Sequence, residues 1–274
     1  MEYVPREPDH SVNVSKEHPL VEAGTLVIGL GIIFAVIAAA LIFLIEIALF
    51  FVPAEKEAQM FSYWLPEDIT TVAYDDPRLL KTDEILQRLA RHYPESPYEF
   101  RVEIDNSPQL NAMAFPGGLI VVTSGLIDKV DTENELAFVL GHEIGHYRNR
   151  DHLRAMGRGL VFSLMLLVIS GDDSANYGAT IADLTLKGAS RRQESDADLF
   201  GLELVQSEYG HVAGSWRFFE RIAETEDDEF LDLLDYTATH PSPDDRIETI
   251  IEIANRNNWP VEGAVTPIDW GPAE

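Results

Sequence analysis

His142-Glu143-Ile144-Gly145-His146 is the stretch on which the reading of this chain turns. On a helix, side chains four positions apart lie one above the other, so the two imidazoles can grip one metal ion with Glu143 beside it. Neutral ring nitrogens are ordinary zinc ligands, and a neighbouring carboxylate can take a proton from a water that the metal activates. The flanking residues read as a buried helix. Leu136, Ala137, Phe138, Val139 and Leu140 give an apolar stripe, and Thr132 with Glu135 three residues on reads as a capping box. Gly141 and Gly145 each cost such a helix about 1 kcal/mol relative to alanine, so they predict close packing or room for substrate.

A catalytic zinc site keeps three protein ligands and one open position. The third is expected on a second helix, opened by Ser190-Arg191-Arg192-Gln193-Glu194-Ser195-Asp196-Ala197-Asp198. Glu194 and Asp198 are one turn apart on the same face. A solvated acidic surface suits Asp196 better than these two, because Ala197, Phe200 and Gly201 make their surroundings small and apolar. Glu194 is therefore expected as the third ligand of one Zn²⁺ per chain. Asp198 is expected to orient a ligand histidine through its other ring nitrogen.

These blocks occur in an order that carries a resemblance. Asn111 to Gly118, then Thr123-Ser124-Gly125-Leu126, the H-E-x-x-H helix, Ser190 to Asp198, and Thr239-His240-Pro241-Ser242-Pro243 with Arg246 resemble one family of membrane-associated zinc endopeptidases. It includes the HtpX heat-shock proteases, the CAAX prenyl endopeptidases and the mitochondrial Oma-type proteases. The resemblance covers roughly residues 75 to 255. It implies a gluzincin fold, with His142, His146 and Glu194 on the zinc, Glu143 as general base, and Asp198 as the second-helix aspartate. It also implies that His240, which Pro241 holds out of helical geometry, lies near the site, where it could donate to the oxyanion or reach the zinc as an inhibiting ligand. Arg246, matching the block's arginine, is expected to anchor that loop to a carboxylate.

Substrate contact is expected from a hairpin. Leu110 to Phe115, the Pro116-Gly117-Gly118 connection and the run Leu119-Ile120-Val121-Val122-Thr123 read as two strands and a tight turn. An edge strand there can pair with an extended peptide. Asn111 and Ala112 are the residues expected to line the cleft.

Leu26 to Ile45 is an apolar run of about the ~20 residues that cross a bilayer, and it continues past Glu46 to Val52. The acidic leader, with Glu2, Glu7, Asp9, Glu17 and Glu22 against Arg6 and Lys16, does not suit a cleaved signal peptide. Residues 25–53 are expected as a single-pass anchor after a polar tail at 1–24. A connector at 54–74 follows, then the metallopeptidase domain at 75–255 and an irregular tail at 256–274. A helix from Thr82 to His92 is expected to bury Ile85, Leu86 and Leu89. A second apolar patch, Leu160 to Ile169, is expected as a core helix, with a membrane-resting helix as the alternative. The polar segment after it, to Lys187, is expected as a flap. The fold class is α+β, mostly α, with a small sheet beside the zinc helix.

The formal charge of -27 argues against nucleic acid and against anionic headgroups as partners of the soluble domain, and with no cysteine there is no disulfide or thiol chemistry. Arg6 and Lys16 against Lys56 favour an extracytoplasmic protease domain. Expected partners are the lipid bilayer and unfolded or membrane-protein polypeptides. A domain beginning near Glu55 is expected to be soluble alone. Two other classes compete: a catalytically silent metal-binding scaffold, and a chaperone-like membrane adaptor in which the pattern is coincidence.

Overall fold

The structure, a computed structural model, describes residues 18–62, 65–66, 69–170, 190–223 and 242–271. Helix α1 (Pro19–Phe51) begins at a proline, whose missing N–H costs nothing at a helix start, and buries none of its 33 residues. At about 1.5 Å per residue it is long enough to cross a bilayer. Val52 and Pro53 are extended and break it. Helix α2 (Ala54–Phe61) follows at once, where a connector was expected, and it docks on the domain: Ala54 and Ala58 pack against the core, and Glu57 is 1% exposed.

Helix α3 (Pro77–Ala90) starts five residues before its expected position. Asp76 caps it by accepting the Arg78 N–H at 2.8 Å, and Leu79, Ile85, Leu86 and Leu89 face inward. Three strands follow: β1 (Arg101–Asp105), β2 (Ala112–Phe115) and β3 (Leu119–Thr123), in the order β1-β3-β2. β3 is central, with all five residues buried, parallel to β1 and antiparallel to β2. Gly117 and Gly118 make the β2–β3 turn with φ of 83° and 87°, the left-handed region that glycine enters without steric cost. A side chain on Gly117 would strike the Phe61 carbonyl at the end of α2.

After the short helix α4 (Ser124–Lys129), helix α5 (Glu133–Asn149) carries the H-E-x-x-H residues and is buried from Glu133 to Tyr147. Thr132 caps it as expected by accepting the Glu135 N–H, while the Glu135 carboxylate reaches one residue further back, to the Asp131 N–H. Arg150, with φ 57°, ends α5 and turns the chain into α6 (Asp151–Ser170). Helix α7 (Arg191–Tyr209) opens with a full capping box between Ser190 and Gln193 and ends at Gly210 in the left-handed conformation. It packs along α5 where both helices are smallest: a Cβ on Gly141 or Gly201 would meet the other helix's backbone.

One expectation is corrected. Residues 160–169 do not form a core helix. α6 runs beside α1, with Gly157 against Ile45 and Arg154 paired to Glu46 at 2.9 Å, and it leaves Leu160, Phe162, Leu164, Val168 and Ile169 exposed. α1 and α6 are the two described helices long and apolar enough to cross a membrane. Residues 258–271 are irregular and docked. After α8 (Arg217–Ala223) and α9 (Pro243–Asn257), Trp259, Val261, Ile268 and Trp270 pack on the core, and the Thr266 carbonyl accepts the first N–H of α5 at 2.8 Å. The segment to Lys187 lies outside the described residues.

Candidate metal centre

One turn of α5 stacks His142 above His146, and the glycine contacts between α5 and α7 let Glu194 come in from the side. His142 Nε2 and His146 Nε2 are 3.1 Å apart; Glu194 Oε2 lies 3.5 Å from the first and Glu194 Oε1 3.5 Å from the second. All three side chains are buried. A metal with four ligands at about 2.0–2.1 Å places neighbouring ligand atoms about 3.3–3.4 Å apart. The histidine nitrogens are a little closer than that and the Glu194 carboxylate turns one oxygen to each of them, so the three side chains converge on one point where they could hold a small ion.

The outer nitrogens are held by carboxylates. His142 Nδ1 is 2.8 Å from Asp198 Oδ1 and His146 Nδ1 is 3.2 Å from Asp151 Oδ2. Arg246 donates to Asp198 Oδ1 from Nε at 3.1 Å and from Nη2 at 2.7 Å, and Nη2 also lies 2.7 Å from His142 Nδ1. Guanidinium is donor-only. A ring that offers Nε2 to a metal carries its proton on Nδ1, which then donates to Asp198, and Arg246 bonds the same carboxylate. Phe138 and Phe219 cover the guanidinium, with ring centroids 5.6 and 4.7 Å away. Burial alone would push the His146 imidazole down, but the Asp151 hydrogen bond and the charges of Glu143, Glu194 and Asp151 outweigh it and hold the ring up at about 9. The same negative field favours a bound cation.

Glu143 is 2% exposed and lines a small cavity with Ala112, Val139, His142, Phe218, Phe219 and Arg246. Ala112, expected at the cleft, is therefore beside Glu143. Asn111 is half-buried, its backbone N–H bonded to Thr123 Oγ1 at 3.0 Å, and its buried Oδ1 has no hydrogen-bond partner among the described residues. Tyr147, one residue after His146, places its hydroxyl between the carbonyls of Phe115 and Leu119 and so locks the β2–β3 turn to the histidine helix. Burial pushes that phenol well above its ordinary pKa, so it keeps the proton it donates. His240 lies outside the described residues. Asp151 is the site residue that sequence reasoning missed. Its position five residues after His146 was the available signal.

The sequence profile described as peptidase family M48 matches residues 80–254. The chain is similar to the mitochondrial metalloendopeptidase OMA1 of Arabidopsis thaliana, 32% identical over 144 residues, 52% of this chain and 29% of the relative. It is 29% identical over 175 residues to the beta-barrel assembly-enhancing protease of Yersinia pestis, covering 57% of this chain and 35% of the relative. The human mitochondrial metalloendopeptidase OMA1 matches at 26% over 197 residues, 63% of this chain and 36% of the relative. The chain thus spans about a third of the length of these curated relatives.

Proposed function

Because this chain belongs to peptidase family M48, we propose that it is a membrane-anchored, zinc-dependent endopeptidase. The observation that carries the proposal is the convergence of His142, His146 and Glu194, whose ligand atoms lie within 4.8 Å of one another, beside the buried carboxylate of Glu143. Two imidazoles and one carboxylate are a donor set suited to zinc. Zn²⁺ bound there supplies a Lewis acid that polarises a carbonyl and lowers the pKa of water. Glu143 takes the proton at its carboxylate as the nucleophile forms, then hands it to the leaving amine, so one group serves as base and acid. Asp198 and Arg246 hold the His142 ring in place from the far side.

An extended peptide fits along β2. In the antiparallel ladder the Thr123 N–H donates to the Asn111 carbonyl at 3.0 Å, and the alternation puts Met113 opposite Val121 in the next bonded pair. The backbone groups of Ala112 and Ala114 then point away from β3, towards the open edge. Main-chain pairing there holds substrate with little dependence on its sequence.

α1 as a span, with α6 packed beside it, keeps this site next to the bilayer, because His146 lies five residues before the start of α6. Substrates are accordingly membrane proteins or unfolded chains near the surface, in keeping with the names of the relatives, which refer to β-barrel assembly and to mitochondria. The count of Arg6 and Lys16 against Lys56 is offset in the folded chain by Arg150 and Arg154 at the protease-side end of α1, and we assign no side of the membrane.

The test is the full chain in detergent with an unfolded protein substrate. Glu143→Gln should retain one zinc per chain and lose at least about 10²-fold in turnover, while His146→Ala should lose the zinc. Proteolysis undiminished in Glu143→Gln, or stoichiometric zinc in a His142→Ala, His146→Ala double variant, overturns the proposal.

A further inference from the structure

The two histidines of the centre are held in matching ways by unrelated parts of the chain. Asp198, on α7, takes His142 Nδ1; Asp151, the first residue of α6, takes His146 Nδ1. An aspartate at a helix start commonly bonds the N–H groups of its own first turn. Asp151 does otherwise: its Oδ2 faces His146 Nδ1 and its Oδ1 accepts from Gln193 Nε2, and it is 4% exposed. Arg154 Nη1 lies 3.5 Å from the same Oδ1. Gln193 is itself fixed, since its Oε1 accepts the Ser190 N–H at 2.8 Å in the capping box of α7. The left-handed Arg150 sets the corner that aims Asp151 back at α5. Asp151 is therefore tied to the end of the histidine helix and to the start of the helix that carries Glu194.

We propose that Asp151 is a positioning residue for His146, accepting its Nδ1–H so that Nε2 faces the metal. A carboxylate on Nδ1 excludes the tautomer that would put the proton on the ligating nitrogen, and it makes that nitrogen a stronger donor. Gln193 holds the carboxylate at the angle the ring needs. This rests on the metal-site reading above.

The test measures zinc affinity by chelator competition on the full chain in detergent, together with the His146 ring tautomer by nitrogen NMR. Wild type must bind zinc; if it does not, the metal-site reading fails, and Asp151 is not the cause. Given binding, Asp151→Ala should weaken zinc by roughly 10–100-fold, and in metal-free protein the neutral His146 ring should become a mixture of tautomers. Asp151→Asn, nearly the same shape, should lose less but still about tenfold, and it serves if the alanine variant does not fold. Glu57→Gln controls for general destabilisation, because it loosens the contact of Glu57 with His152, next to Asp151, without touching the His146 ring. Its folded fraction should bind zinc like wild type. Asp151→Asn binding zinc within twofold of wild type with an unchanged tautomer overturns the proposal, as does an equal loss in Glu57→Gln.

Discussion

Gly145 and Ala197 press α5 against α7 so closely that a methyl group on Gly145 would lie 2.8 Å from the Ala197 Cα. Glycine in mid-helix is thus explained by packing rather than by room for substrate. Gly145→Ala would gain about 1 kcal/mol in helix propensity but lose roughly 1–3 kcal/mol to overpacking. The expected net result is a less stable chain, with Glu194 displaced from the histidines and metal content reduced. Thermal unfolding with metal analysis checks this, and a stabilised variant with full metal content would refute it.

Arg246 is 3% exposed and spends its charge on Asp198. Replacing it by methionine leaves the Asp198 carboxylate buried with its cationic partner gone and the His142 ring as its remaining contact, and breaking a buried pair costs roughly 3–5 kcal/mol. Arg246→Lys should recover only part, since an ammonium cannot reproduce the two nitrogen contacts that the guanidinium makes on one oxygen. Denaturant titration of the three proteins should rank wild type, lysine and methionine in that order.

Glu57 gives a dependence on pH whose sign follows from its surroundings. Burial by itself raises its carboxyl, but hydrogen bonds from His152, Tyr98 and the Gly117 N–H, with the charge of His152, outweigh it and hold the group below the ordinary glutamate value. The distances are 2.7, 2.5 and 3.5 Å, and Arg150 Nε lies 3.5 Å away. A depressed carboxyl contributes stability that is present above its unfolded pKa, near ~4.3, and is lost as pH falls through the folded value. Glu57→Gln should therefore be less stable than wild type at neutral pH and should approach it below about pH 4. A gap between the two that does not narrow in acid would contradict this.

Arg150 ties the domain to α1 by donating to the carbonyls of Leu49 at 2.8 Å and Val52 at 2.6 Å. A chain beginning at Glu55 loses those acceptors and strips α1 from α6, whose Leu160, Phe162, Leu164, Val168 and Ile169 are already exposed. Such a truncation was expected from the sequence to be soluble. The structure predicts that it aggregates without detergent, which light scattering would show; a monodisperse soluble domain would restore the simpler picture.

The features legible in the sequence are those that local geometry controls. The i, i+4 spacing put His142 above His146, and Thr132 and Ser190 marked where two helices begin. Two strands around a pair of glycines made a hairpin because only glycine sits easily at φ near 85°. β1 was legible too, in the alternation of Val102 and Ile104. What only the tertiary structure decided are contacts between distant residues: Glu57 with His152, 95 positions apart, the α6 face laid on α1, the tail strapped over the start of α5, and Asp151 turned back to His146 across a left-handed corner. A pattern rule reads the period of one element, and it says nothing of which element will lie opposite. That choice belongs to the packing of small residues, such as Gly145 on Ala197, and to the need of each buried polar group for a partner.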